Sequence, residues 1–155
     1  MLQGVGLNKK DVSEICEFCS IVQTLRKVNL SHNGLKIPEF LIMFDMLKPQ
    51  AYNFNYLDVS WNSMSDIGVS PDLVKDFRKK FADFLRYSRT LQHVGLQGNG
   101  FSVETLEHVT MFGFRKSKTL LSIHMSGNFD KEDLLIKFRF WMKVIKNQRQ
   151  MALNS

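Results

Sequence analysis

The chain has little of what most chemistry or sorting would require. Two cysteines in 155 residues cannot build a disulfide framework, so a reducing compartment is the default expectation. No basic start followed by an apolar run occurs in residues 1–10, and a secretory signal is not expected. The longest apolar stretch, Phe40 to Leu47, is broken by Asp45 and is far too short to span a bilayer. Without a signal, the sequon Asn29-Leu30-Ser31 reads as accidental, and a cytoplasmic location is expected. Lys and Arg outnumber Asp and Glu by 21 to 15, a net charge of +6, yet no dense basic run appears. The bias admits acidic partners without selecting one.

Motifs for catalysis are missing as well. No GxSxG, HExxH or HRD element occurs, and the glycine-rich run Gly95 to Gly100 lacks the Lys-Ser/Thr of a phosphate-binding loop. Cys16 and Cys19 form a lone CxxC with no second pair to complete a zinc site. They fall on an expected helix, residues 13–23, whose inward stripe reads Ile15, Phe18, Cys19 and Val22. Small buried hydrophobes are the expected role. His93 and His124 fall on neighbouring repeats, with only Asp58 near enough to act as a third ligand, so no metal is expected. Neither a catalytic activity nor a cofactor follows from these residues.

What the sequence does contain is internal repetition. LRKVNLSHNGL begins at Leu25, FNYLDVSWNSM at Phe54, LQHVGLQGNGF at Leu91 and LLSIHMSGNFD at Leu120. A degenerate copy, LQGVGLNKKDV, starts at Leu2 with Lys10 where the asparagine should stand. Apolar residues alternate within each copy, as in Val28 and Leu30 or Leu57 and Val59, which predicts short half-buried strands. Asn33, Asn62, Asn99 and Asn128 sit where the chain leaves each strand and are placed to bond its backbone. Helical spacing follows in between: Leu73, Phe77, Phe81 and Phe84, then Leu106, Val109 and Phe112. Thirteen phenylalanines are expected largely as filler of that helical layer.

The pattern LxxLxLxxNxL resembles the leucine-rich repeat family, and the period of about 29 residues is similar to the cytosolic ribonuclease-inhibitor type. The resemblance covers essentially the whole chain. It implies an α/β solenoid of about five strand–turn–helix units, starting near 2, 25, 54, 91 and 120, with a parallel concave sheet and helices on the convex side. Residues 1–155 are expected to form one domain, either a fragment of a longer chain or a subunit with covered ends.

The resemblance also implies a non-catalytic scaffold for protein partners in a larger assembly. The phrase SKTLLSIHMSGN is similar to leucine-rich proteins of protist and ciliary origin, which points to a cytoskeletal or axonemal setting. Regulation of a small GTPase or another enzyme is the alternative, and nucleic-acid binding is disfavoured because no aromatic-basic stripe lies along the sheet. No small-molecule substrate and no membrane insertion are expected.

Candidate binding residues are those at exposed strand and turn positions: Tyr56, Asp58, Trp61, His93 and His124. Tyr and Trp are the types enriched at binding hot spots. The competing expectation for Trp61 is that it folds over the turn onto Met64. In residues 132–149, Ile136, Phe140 and Val144 make a second apolar stripe opposite the core-facing one, which predicts a further covered face.

Overall fold

A computed structural model describes residues 2–48 and 52–128. Four three-residue strands, β1 (Lys27–Asn29), β2 (Tyr56–Asp58), β3 (His93–Gly95) and β4 (Ser122–His124), form one parallel sheet in chain order. Helices α1 (Lys9–Ile21), α2 (Ile37–Met46), α3 (Pro71–Tyr87) and α4 (Val103–His108) alternate with them. Each helix packs on the next, so sheet and helices form two layers around one apolar core. This is the leucine-rich repeat solenoid.

Local chemistry sets the helix starts. Asn8 accepts from the N–H groups of Lys10 and Asp11, while its own N–H donates to the Asp11 carboxylate. The Lys36 N–H donates to Glu39, and Ser102 accepts from the Thr105 N–H. Pro71 opens α3 at a position where its missing N–H removes nothing. Phenylalanine fills the space between helices: Phe44 of α2 packs against Phe81 and Phe84 of α3 at ring separations of 5.1 and 5.2 Å.

Strands this short hold their register because the turn asparagines tie consecutive units together. Asn62 Oδ1 accepts from the N–H groups of Asn33 and Leu35, both at 3.0 Å. Its Nδ2 donates to the carbonyls of Leu30 and Val59. Asn33, Asn99 and Asn128 bond in the same pattern, each bridging to the unit before it.

That ladder corrects the register of the first copy. Asn33 reaches back to the Leu2 carbonyl and the Val5 N–H, and the Leu2 and Gly4 N–H groups donate to Asn29 and Ser31. Leu2 is therefore equivalent to Leu30, Val59, Leu96 and Met125, and Val5 occupies the asparagine position. Lys10 belongs to α1. The segment pairs only through these two bonds and adds no strand to the four.

Two helical expectations also change. In α1 the buried residues are Val12, Cys16 and Cys19, whereas Phe18 faces solvent and Ile15 and Val22 are half-buried. After α4 the chain widens into a π-turn over Val109–Gly113, then tightens into a 3₁₀ turn over Phe114–Lys116. The wider turn rotates Phe112 out to solvent and brings Gly113 and Phe114 inward. A Cβ on Gly113 would lie 3.0 Å from Ala82 Cα, so α3 packs on this turn closely enough that any side chain there would push it back by a few tenths of an ångström.

The long unit carries its extra residues partly in the loop before α3, and a buried carboxylate secures that loop. Asp66 accepts from the Ser102 N–H (2.8 Å), the Ser102 hydroxyl (2.6 Å), the Thr105 hydroxyl and Arg78 Nη2 (3.0 Å). Burial by itself would raise its pKa, but the hydrogen bonds from Ser102, Thr105 and Arg78 together outweigh burial and hold it at about 2.

Asn62→Ala would leave the N–H groups of Asn33 and Leu35 without this acceptor and remove one of two asparagine donors from the Leu30 and Val59 carbonyls. It is expected to lower stability by about 2–4 kcal/mol, seen as a lower urea midpoint at unchanged slope. Because the folded pKa of Asp66 lies below the unfolded one, its contribution is present above about pH 4 and is lost as pH falls through about 2. Asp66→Asn should therefore cost about 2 kcal/mol at neutral pH and flatten the stability profile in that acidic window, measured by urea unfolding across pH.

Candidate functional site

Parallel register arranges the outward side chains of the sheet in rows. Lys27, Tyr56, His93 and Ser122 form the first, and Asn29, Asp58, Gly95 and His124 the second. Four of the five concave candidates, Tyr56, Asp58, His93 and His124, thus lie on one face within two adjacent rows.

The first row is connected side by side. Lys27 Nζ lies 5.9 Å from the centre of the Tyr56 ring, and Tyr56 lies 6.5 Å from His93. His93 Nδ1 and Ser122 Oγ are 2.6 Å apart. The Tyr56 phenol is shifted up, first by partial burial and then by the Asp58 carboxylate, so it stays a neutral donor.

In the second row Asp58 leans towards Gly95. Its Oδ1 accepts from the Ser60 N–H at 3.0 Å, and a Cβ on Gly95 would come within 2.6 Å of that oxygen. Gly95 is thus the space that the Asp58 carboxylate occupies. Beyond it stands the exposed side chain of His124. No group of three or more His, Cys, Asp or Glu is placed to hold a metal ion among the described residues.

Trp61 belongs to the turn that follows the strand, and its conformation is unusual. Gly4, His32, Trp61, Gly98 and Gly127 occupy equivalent turn positions, all with φ between 57° and 73°. Glycine adopts this left-handed geometry freely; His32 and Trp61 each hold it at a cost of about 1 kcal/mol. The Trp61 indole is 52% exposed and does not fold onto Met64, which is itself fully buried. It stacks on His32 at 5.8 Å and 14° on one side. Its six-membered ring covers Gly98, where a Cβ would be 2.3 Å from Cε3, and reaches 3.7 Å from the Cβ position of Gly127. Bare glycine backbone is the floor on which the indole lies. Trp61 therefore extends the concave surface as a flat aromatic shelf above the strand rows.

The two cysteines take no part in this surface. Burial pushes Cys16 up to about 12, helped by Cys19, and pushes Cys19 up to about 11, which leaves both thiols protonated on the buried face of α1. Ile136, Phe140 and Val144 lie outside the described residues. The glycine floor was readable in part from Gly98 and Gly127 in the sequence. The contribution of His32 was not, because only the left-handed turn brings its ring against Trp61.

A leucine-rich repeat family model matches residues 23–36 and 53–71, the segments that carry β1, β2 and their turn asparagines. With the solenoid and its asparagine ladder, the match supports a leucine-rich repeat protein. The tropomodulin C-terminal domain from Caenorhabditis elegans has a similar structure, with a TM-score of 0.54 over 96% of this chain and 98% of that one. The two are 9% identical, so the likeness is one of fold. No curated protein matches the sequence.

Gly98→Ala is expected to displace the indole and to add left-handed strain, lowering stability by about 1–2 kcal/mol. In a Trp141→Phe background, Trp61 emission should change with it. Gly100→Ala is strained at a similar φ but meets Ser65 instead of the indole, so it should leave the emission unchanged.

Proposed function

We propose that the chain is a non-catalytic interaction scaffold that holds a protein partner on its concave sheet, with Trp61 as the anchor and Tyr56, Asp58, His93 and His124 around it. The observation that carries this reading is the Trp61 shelf. A large aromatic side chain is left half in solvent, in a backbone conformation that costs energy. The two units that follow place glycine at the same turn position. Burial of the free indole face by a partner recovers apolar contact at low entropic cost, because His32 and the glycine floor already hold the ring in place.

Around the shelf the surface is mixed. Lys27 and Asp58 carry opposite charges, while Tyr56, His93 and Ser122 offer hydroxyl and imidazole groups that can donate or accept. Such a surface suits a folded protein with both polar and apolar contacts better than a uniform polyanion.

The finer reading places this scaffold in a cytoskeletal or axonemal assembly in the cytoplasm, on the resemblance of the SKTLLSIHMSGN segment. The stripe of Ile136, Phe140 and Val144 is proposed as a second contact within that assembly.

Tyr56→Ala combined with Trp61→Ala tests the concave reading. Affinity capture followed by mass spectrometry should lose the proteins that the unaltered chain enriches, while the melting temperature stays within a few degrees. An unchanged set of captured proteins at equal stability removes the concave face from the function.

A further inference from the structure

The net charge of the described residues is concentrated on one rim. All strands run in the same direction, so every helix-to-strand connection lies on the same edge of the solenoid. The connections are bonded side by side: Tyr56 N–H to Arg26, His93 N–H to Asn55 and Ser122 N–H to Gln92. Along this rim lie Arg26, Lys27, Lys48, Arg86, Arg89, Arg115, Lys116 and Lys118, and all eight are exposed.

No acidic residue occurs in the described parts of these connections, within residues 21–27, 47–48, 52–55, 86–92 or 115–121. The described residues contain fifteen basic and twelve acidic side chains in all, so the rest of the described surface has seven basic against twelve acidic. Among the described residues, formal charge is therefore separated between the rim and the rest of the surface. Arg86, Arg115 and Lys116 sit in last helical turns, where cations complement the helix dipole. Arg26 donates to the Gln23 and Leu25 carbonyls and Lys27 lies over the Tyr56 ring, whereas Lys48, Arg89 and Lys118 lie outside those turns. Among the described residues, the basic side chains found in ion pairs are Lys10, Arg78 and Lys80, none of them on this rim.

Apolar side chains project between these cations. Ile21 at the end of α1 is 76% exposed, Tyr87 at the end of α3 is 52% exposed, and Leu121 before β4 is 67% exposed. A nucleic-acid backbone draws on the cations alone and leaves Ile21 and Leu121 unused. An anionic bilayer uses both kinds of group: cations meet the headgroup phosphates and carboxylates, while aliphatic and aromatic side chains enter the interfacial layer. The cations are also distributed along an edge of four connections, which suits a planar polyanion.

We propose that this rim is a docking surface for a membrane rich in anionic phospholipid, with the eight basic residues facing the headgroups and Ile21, Tyr87 and Leu121 entering between them. Lys27 heads the first concave row and borders both surfaces, while Trp61 and its glycine floor lie at the opposite edge of the sheet.

The test is co-sedimentation of the full chain with vesicles of phosphatidylcholine alone and with vesicles that also contain phosphatidylserine. Binding is expected to the phosphatidylserine vesicles only and to weaken as salt rises. Arg89→Glu combined with Lys116→Glu should weaken it by at least about tenfold with the melting curve preserved, since both residues are exposed. Ile21→Ser combined with Leu121→Ser should weaken it while keeping its salt dependence, and Trp61→Ala should leave it intact. Failure to bind phosphatidylserine vesicles, equal binding to neutral ones, or full binding by the charge-reversed variant would overturn the proposal. So would single-stranded RNA that binds the rim and displaces the vesicles, an outcome that assigns the surface to nucleic acid instead.

Discussion

Three-residue strands have too few hydrogen bonds to define their own register, and the turn asparagine makes up the deficit. One side chain joins two consecutive units by accepting from the N–H groups of the earlier turn and donating to carbonyls in both. Every other feature follows from that constraint. It aligns the outward residues in rows, stacks the helices at a separation that phenylalanine fills, and sets the turn in which His32 and Trp61 are held left-handed.

The same constraint explains why two surfaces, which share only Lys27, coexist on so small a solenoid. Parallel strands put all strand-to-helix turns on one edge and all helix-to-strand connections on the other. Trp61 and its glycine floor belong to the first edge, where they border the concave face. The unpaired cations belong to the second. A partner on the sheet and a polyanion on the rim would therefore approach from different directions.

Much of this was legible in the sequence, and the reasons are local. The alternation of Val28 with Leu30, the spacing of Phe77, Phe81 and Phe84, and the recurrence of asparagine each reflect contacts within one unit or between adjacent units. Phe18 and Phe112 defied the same periodicity. The face of α1 is set by which side α2 covers, and the turn after α4 widens where Gly113 meets Ala82 of α3. The first copy misled because Leu2, Val5 and Leu7 fit two alignments of the motif. Only the bonds from Asn33 distinguish them.

The repeat, its asparagines and the apolar periodicity by themselves determined the solenoid, because a repeated unit that cannot bury its own apolar face must stack on its neighbours. They also nominated Tyr56 and Trp61 as outward-facing aromatics. The tertiary structure decided what surrounds them. It placed His32 and two glycines against the indole, left that indole half in solvent, and put Gly95 beneath the Asp58 carboxylate. It also gathered eight basic residues, scattered over more than ninety positions of sequence, onto one rim. Charges so far apart along the chain become neighbours only when strand register fixes how one unit sits on the next.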